Sequence, residues 1–251
     1  CASDDVQDLR KALSEYHLNV TDGRNDFPRQ PFHKVVAISV VEADILQTTH
    51  GEQYHLKRVF SGQSDDEKEL LEGFFKYCDQ KRPRFVSFNG RNFDIPVLQF
   101  RAMKHGISAA WLHRSGDKWE NYHSRFSALW HCDLLDVLKN FGAMSGGLKL
   151  NEMAAILGLP GKIGVDGSMV SQMYDDGKLD EIRDYCETDV LNTYLVYLNW
   201  QRHTGVLAPE HFETALRNVE EYLAAEGQDR PHLKEFDEAG DASPQTKSFI
   251  D

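Results

Sequence analysis

The apolar positions in the first third of the chain predict a pair of strands. Residues 33–42, with the sequence HKVVAISVVE, form a β-branched apolar run typical of a buried strand. Residues 53–60 are the candidate partner strand, and Thr48–Gly51 between the two runs has the composition of a turn. The pattern therefore predicts that the sheet begins with two neighbouring strands.

Helical spacing dominates most of the remaining chain, where apolar residues recur three and four positions apart. The predicted helices cover residues 3–16, 64–78, 93–105, 149–157, 180–200 and 209–225. Short strands are predicted at residues 84–88 and around Cys132–Leu134. Strands that come first and then alternate with helices indicate an α/β domain, with a mixed central sheet flanked by helices.

The end of the chain differs in composition from the rest. Residues 226–251 carry Gly, Asp, Ser, Pro and Gln, with more acidic than basic side chains, and predict a disordered acidic tail. No internal repeat divides the preceding part of the chain. Residues 1–225 are therefore predicted to form one domain.

Overall charge and cysteine content limit the functional classes. A net charge of −12 argues against a protein that coats nucleic acid through bulk positive charge, but not against an enzyme that binds a strand end. The four cysteines form no C-x-x-C pair, so neither structural zinc nor a disulfide framework is expected. Free thiols suit a reducing cytoplasm, where we expect the protein. No apolar run approaches about 18 residues, so no transmembrane helix is predicted.

Tyr185 and Asp189 lie four residues apart on the predicted helix 180–200, so both project from one face. A tyrosine hydroxyl orients a water molecule, and a carboxylate oxygen binds a divalent cation. Together they are suited to hydrolysis at a phosphorus atom. The alternative is a core tyrosine beside a solvated aspartate, because Y-x-x-x-D occurs by chance in many helices.

Asp94 lies at the junction between a predicted strand and a predicted helix. Ligand sites in α/β sheets gather at the carboxyl ends of strands, which makes Asp94 a candidate site residue. The alternative is that Asp94 only stabilises the helix N-terminus. Asn89 is either a substrate-binding residue or a turn residue before Gly90.

Residues 111–130 are rich in aromatic and basic side chains and show no clean period. Such a run either stacks bases and contacts phosphates or packs within the domain. The relevant side chains are Trp111, His113, Arg114, Lys118, Trp119, Tyr122 and Arg125.

Two motifs in combination carry a resemblance to a known family. N-G-x-x-F-D-x-P-x-L at residues 89–98, followed about ninety residues later by Y-x-x-x-D at 185–189, resembles the DEDD superfamily of 3'-5' exonucleases. The likeness is to the subgroup with tyrosine in its third motif (DEDDy). It extends over residues 31–200 and is strongest to proofreading domains of family-B DNA polymerases and to related stand-alone bacterial exonucleases.

The resemblance implies a ribonuclease-H-like (DnaQ-like) fold and hydrolysis of single-stranded DNA or RNA 3' ends with two divalent cations, Mg²⁺ or Mn²⁺. It assigns Asp94 and Asp189 as metal ligands and Tyr185 as the residue that orients the water. Asn89 and Phe93 match positions that hold the 3' end, and Lys149 matches a lysine near the scissile phosphate. Asp133 matches an aspartate near the site, and its alternative is a structural role at a strand end.

The family's first motif, an Asp-x-Glu strand that supplies two further carboxylates, is absent from these residues. We expect that the sequence is truncated and that the chain as written lacks the first strand, has poor stability and is nearly inactive. The alternative is an inactive nucleic-acid-binding or scaffold protein that retains the fold. No polymerase palm or thumb accompanies the motifs, so a proofreading role would need a protein partner.

Overall fold

The computed structural model of the chain describes residues 6–164 and 166–242. The strands in these ranges are β1 (Ser39–Thr48), β2 (Gly51–Ser61), β3 (Phe85–Ser87) and β4 (His131–Asp133). The α-helices are α1 (Val6–Val20), α2 (Glu67–Lys81), α3 (Asp94–Lys104), α4 (Ala110–Arg114), α5 (Leu134–Leu138), α6 (Leu150–Ile156), α7 (Val170–Asp175), α8 (Leu179–His203), α9 (Pro209–Glu226) and α10 (Pro231–Ala242). This is a mixed α/β protein, as the sequence predicts.

The predicted pair of neighbouring strands is an antiparallel hairpin of β1 and β2, which closes where Thr48 faces Gly51. Its first strand begins at Ser39, so the predicted start at residue 33 is wrong. The backbone N–H of Val35 donates to a carboxylate oxygen of Glu67 at 2.8 Å, which ties the preceding segment to α2. A side-chain partner of that kind is not visible in a hydrophobic pattern.

The other two strands form a separate two-stranded sheet. β3 and β4 are parallel, and Val86 lies opposite Cys132. At the carboxyl end of β3, the Ser87 hydroxyl lies 2.7 Å from a ring nitrogen of His131. The described residues therefore contain two small sheets, with helices packed around them.

α8 is the element that holds both sheets. It contacts β1 and β2 of the first sheet and β3 of the second. Its apolar side chains lie in the main core, where Leu191 and Leu198 are fully buried. A second core packs α2, α3 and α4 around Phe75 and Trp111. Within the described ranges, none of the helices has the length and apolar character that crossing a membrane requires.

The helix predicted from residue 64 begins at Glu67 in the structure. The N-cap is Asp66, whose carboxylate accepts the backbone N–H of Glu69 at 3.0 Å. Glu67 is buried and forms ion pairs with Arg101 and His105. Burial alone would raise the pKa of Glu67, but these partners lower it to about 2. Glu67 therefore joins α2 to α3 as a buried anion.

The tail predicted to be disordered contains a helix. α10 covers Pro231–Ala242, and its Leu233 and Phe236 are fully buried in the main core. The prediction of disorder is therefore wrong for these residues. Two apolar residues at helical spacing suffice to hold this helix against the core, although the segment is polar overall. Residues 243–251 and the first three residues of the helix predicted over 3–16 lie outside the described residues.

The buried His131 side chain is expected to make the protein less stable in acid. Burial and the nearby charge of Arg91 lower its pKa to about 3. The unfolded chain has an ordinary histidine and takes up a proton below about pH 6.5, so folding is weakened as pH falls from there towards 3. Between pH 7 and pH 5 this costs about 2 kcal/mol.

Urea denaturation of the parent and of His131→Gln at these two pH values tests this expectation. Glutamine retains a hydrogen-bonding group towards Ser87 and does not titrate. The parent should lose about 2 kcal/mol more than the variant, because other titrating groups contribute equally to both proteins. An identical pH dependence would show that His131 does not titrate as described.

Candidate active site

The loop after β3 makes a tight turn that leads into α3. Asn89 has a left-handed backbone, with φ of 70°. A Cβ at Gly90 would lie 2.5 Å from the Cβ of Ser87, so only glycine fits there. The turn places Asp94 at the first position of α3. The Asp94 carboxylate lies close to the turn, because its Oδ2 would be 3.4 Å from a Cβ atom placed on Gly90.

Asp133 holds this turn in place from the end of β4. Its carboxylate accepts the backbone N–H of Asn89 at 2.9 Å, of Arg91 at 2.8 Å and of Leu135 at 3.0 Å. The side chain is buried, with 2% of its surface exposed. Among the alternatives for Asp133, these contacts favour the structural role, and they position the loop that carries Asp94.

Tyr185 and Asp189 lie on α8, as the helical spacing predicts. The loop before α7 passes over Tyr185, because a Cβ at Gly167 would lie 3.7 Å from the tyrosine hydroxyl. Lys162 in the same loop forms an ion pair with Asp166 at 2.8 Å. Its charge also acts on both Tyr185 and Asp189.

Asp94 and Asp189 come together although they are ninety-five residues apart in sequence. Desolvation raises the pKa of Asp94 to about 6, and the charges of Asp189 and Asp133 add to the shift. The Asp94 residue is nevertheless exposed to solvent, so a ligand can reach it. Burial also raises the pKa of Asp189.

Cys186 on α8 lies close enough to both carboxylates to respond to their charges. Burial raises the pKa of its thiol to about 12, and the charges of both Asp189 and Asp94 contribute. The Ser39 side chain at the start of β1 acts on the same thiol and lowers its pKa. The site therefore lies where α8, the start of α3 and the start of β1 meet.

The residues at this site fit a divalent cation. In the part of the chain that the structure describes, neither Asp94 nor Asp189 forms an ion pair with a basic side chain. Two partly desolvated carboxylates that repel each other are stabilised by a bound cation, and oxygen ligands are those that Mg²⁺ and Mn²⁺ prefer. Burial raises the pKa of Tyr185, which keeps its hydroxyl protonated at neutral pH.

The residues expected to bind substrate occupy different settings. The Phe93 ring packs edge-on against His33, with centroids 5.0 Å apart, beside the exposed Phe27. The Asn89 side chain accepts a hydrogen bond from Asn92 at 3.1 Å. Lys149 is exposed just before α6, where its backbone N–H donates to Glu152. Their roles in binding stay predictions.

Lys162 is a site residue that the sequence reasoning missed. The residues around it are visible in the sequence only as a glycine-punctuated loop, and nothing in the spacing places that loop over α8. A lysine held by a nearby carboxylate is a fixed positive charge, suited to contact a phosphate. The structure thus adds a cation to the site beside Tyr185.

A second acidic group lies on another face of α8. Asp184, Glu187 and His232 bring ligand atoms within 4.8 Å of one another, an arrangement that can hold a metal ion. Here, however, Arg230 pairs with Glu187, and each ring nitrogen of His232 faces one of the two carboxylates. This cationic surrounding satisfies the carboxylates and fastens α10 to α8. Glu187 and His232 are forty-five positions apart in the sequence, so no local pattern indicates that their side chains meet.

Comparisons with known proteins indicate the family of this chain. A model of the family described as a predicted 3'-5' exonuclease related to the exonuclease domain of PolB matches residues 25–240. The catalytic polypeptide of DNA polymerase epsilon from Dictyostelium discoideum is 29% identical over 173 residues, which cover 66% of this chain and 7% of that protein. The chain therefore spans a small part of this relative, and the family match includes all residues from Asn89 to Asp189.

Proposed function

Because the chain belongs to the family of predicted 3'-5' exonucleases related to the exonuclease domain of PolB, we propose that it hydrolyses single-stranded DNA or RNA from the 3' end. The observation that carries the proposal is the convergence of Asp94, Asp189 and Tyr185 at one site. Two carboxylates without basic partners and a protonated tyrosine are the groups that metal-assisted phosphodiester hydrolysis needs.

Each side chain has a distinct role in this reaction. Asp94 and Asp189 would hold Mg²⁺ or Mn²⁺, and the bound cations would supply activation of the attacking water and stabilisation of the leaving 3' oxygen. The Tyr185 hydroxyl orients that water towards the phosphorus. Lys162 neutralises charge on the phosphate, and its partner Asp166 keeps the ammonium group in place.

Asn89 and Phe93 bind the terminal nucleotide in this proposal. Phe93 offers a ring for a base to stack on, beside His33 and Phe27. Asn89 has an amide that hydrogen-bonds sugar or base. Both residues precede Asp94 on the same turn, so a nucleotide held there presents its phosphate to the carboxylates.

The proposed fold is ribonuclease-H-like, with one further strand between the two sheets. In the described residues, β1 pairs only with β2, and β3 pairs only with β4. Both sheets nevertheless pack on α8. A strand between β1 and β3 would join them into one mixed sheet, and an Asp-x-Glu sequence on it would lie beside Asp94 and Asp189. We place residues 25–240 in this single domain, which includes α10.

A nuclease assay tests the proposal. Single-stranded DNA and RNA with 5' labels are incubated with Mn²⁺ and either this chain or a version extended at its N-terminus by an Asp-x-Glu strand. We expect stepwise shortening from the 3' end by the extended version, blocked by a chelator. If the extended version folds, binds Mn²⁺ and still cleaves neither substrate, the proposed activity is wrong.

Two lysine substitutions decide which cation contacts the scissile phosphate. Lys162→Ala in the extended version should slow single-turnover cleavage by about 10²-fold, the usual effect of losing one preorganised positive group. Lys149→Ala should change the single-turnover cleavage rate by less than about threefold, because Lys149 is exposed before α6. The lysine whose charge acts on Tyr185 and Asp189 is Lys162. Lys162→Arg is the charge control. A larger effect of Lys149→Ala would reverse this assignment.

A further inference from the structure

Part of the aromatic and basic segment remains unexplained by packing. Trp111 and Tyr122 are buried in the second core, which settles their role as structural. Trp119 and Phe126, in contrast, expose 74% and 78% of their surface. An exposed aromatic ring of this size offers a face on which a base can stack. Residues 116–126 are called the tryptophan loop below.

The tryptophan loop is rigidly built around the exposed ring. Asp117 accepts the backbone N–H groups of Trp119 at 2.7 Å and Glu120 at 2.8 Å, and its own N–H donates to the Glu120 carbonyl. A Cβ at Gly116 would lie 2.0 Å from that carbonyl oxygen, so the turn requires glycine. Trp119 is thus held outward by backbone contacts, and little ordering is needed when it binds a partner.

A cation lies against the exposed ring, although the chain as a whole is strongly acidic. The Lys118 ammonium group lies 4.8 Å from the centroid of the Trp119 ring. Asp117 is exposed beside it, but its carboxylate is occupied by the backbone N–H groups of the turn, and Glu120 binds Ser127. An aromatic face with an adjacent ammonium group is therefore what the loop offers to a ligand.

The loop is fastened to the turn that carries the active site. The Arg91 guanidinium donates to the backbone carbonyls of Tyr122 and Ser124, each at 3.1 Å. Arg91 lies three residues before Asp94. Tyr122 anchors the other side, because its hydroxyl donates to the Pro83 carbonyl at 2.8 Å. The tryptophan loop is therefore joined through Arg91 to the turn that ends at Asp94.

We infer that the tryptophan loop is a second nucleic-acid contact, where Trp119 stacks on a base of the single strand upstream of its 3' end and Lys118 contacts the phosphate backbone. This inference rests on the proposed function, and it adds a strand-binding surface outside the catalytic cleft. Aromatic rings with adjacent cations bind single strands without sequence preference. A protein with a net charge of −12 needs such a local contact, because its overall field repels a polyanion.

Binding measurements without catalysis test this inference directly. Fluorescence anisotropy with labelled oligonucleotides of about three to about twenty nucleotides, in the presence of a chelator, reports affinity at each length. Trp119→Ala should weaken binding of the long strands by about tenfold and leave the shortest unchanged. Trp119→Phe keeps a ring and should recover most of the loss. Met103→Ala, which removes another exposed apolar side chain on α3, should have no effect.

Salt dependence gives a separate readout for the cation. Lys118→Ala should reduce the slope of log affinity against log salt by about 0.7, the value for one phosphate contact on a single strand. If Trp119→Ala binds every length as tightly as the parent, the inference is wrong and the exposed ring serves another partner, such as a protein. Length-independent weakening would also overturn it.

The two proposals can fail separately. Normal cleavage by the extended protein with no effect of Trp119→Ala on binding rejects only the tryptophan loop as a contact. Absence of cleavage together with length-dependent weakening by Trp119→Ala supports the loop as a strand-binding surface and rejects the exonuclease activity.

Discussion

Asp189→Asn is expected to abolish exonuclease activity while leaving the metal-free protein at least as stable as the parent. The carboxylate provides metal ligation worth several kcal/mol in the transition state, so its loss should slow cleavage by at least about 10³-fold. In the absence of a cation, however, burial disfavours the charged form of Asp189 and raises its pKa. The neutral amide removes that cost.

Three measurements on the extended version test this expectation. Single-turnover cleavage should fall as stated, Mn²⁺ titration should show weaker binding, and thermal unfolding in chelator should show an unchanged or higher melting temperature. Addition of Mn²⁺ should then stabilise the parent more than the variant, because ligand binding to the folded state raises the melting temperature.

Asp184→Asn is the matched control for this substitution. It makes the same chemical change on the same helix, but Asp184 faces His232 instead of Asp94. Its cleavage rate should stay within about twofold of the parent, as for other changes away from a site. Retention of normal cleavage by Asp189→Asn, or equal losses in both variants, would contradict the assignment of Asp189.

The sequence predicts those site residues whose placement depends on local periodicity. Tyr185 and Asp189 share a helix face because they are four residues apart, and helical spacing defines that helix. Asp94 is predicted because a strand run ends shortly before a helical one. Local rules act over a few residues and are enough to place these three side chains on their elements, whereas their proposed roles come from the family resemblance.

What the sequence does not predict depends on contacts between distant segments. Lys162 becomes part of the site because its loop folds over Tyr185. His232 fastens α10 to α8 through Glu187, and Val35 leaves the strand pattern because Glu67 accepts its N–H. Such side-chain partners override local propensity, and a single sequence does not reveal which partners meet.

Asp133→Ala is expected to cause the largest loss of stability among simple polar substitutions at the site. The change leaves the backbone N–H groups of Asn89, Arg91 and Leu135 without their acceptor. Each buried unsatisfied donor costs about 1–3 kcal/mol, so the expected loss is about 3 kcal/mol or more. Urea denaturation measures it.

The two oxygens of the Asp133 carboxylate have different partners, so alanine and asparagine at this position should destabilise the protein to different extents. Oδ1 accepts from Asn89 and Leu135, whereas Oδ2 accepts from Arg91 alone. Asparagine at position 133 retains the first oxygen but turns an amide NH₂ towards the Arg91 N–H, so Asp133→Asn should lose about half as much as alanine. Asp66→Ala removes an ordinary helix cap and serves as the reference, with an expected loss of about 1 kcal/mol in the free energy of unfolding.

Substitution of Asp133 also tests whether this residue positions the proposed metal site. The amides that Asp133 holds belong to the turn that places Asp94, and α3 begins only where that turn ends. Asp133→Asn should therefore weaken Mn²⁺ binding although no proposed ligand has changed, because a loosened turn no longer holds the Asp94 carboxylate near Asp189. If Asp133→Asn unfolds more easily but binds Mn²⁺ as the parent does, Asp133 stabilises the fold without positioning the site.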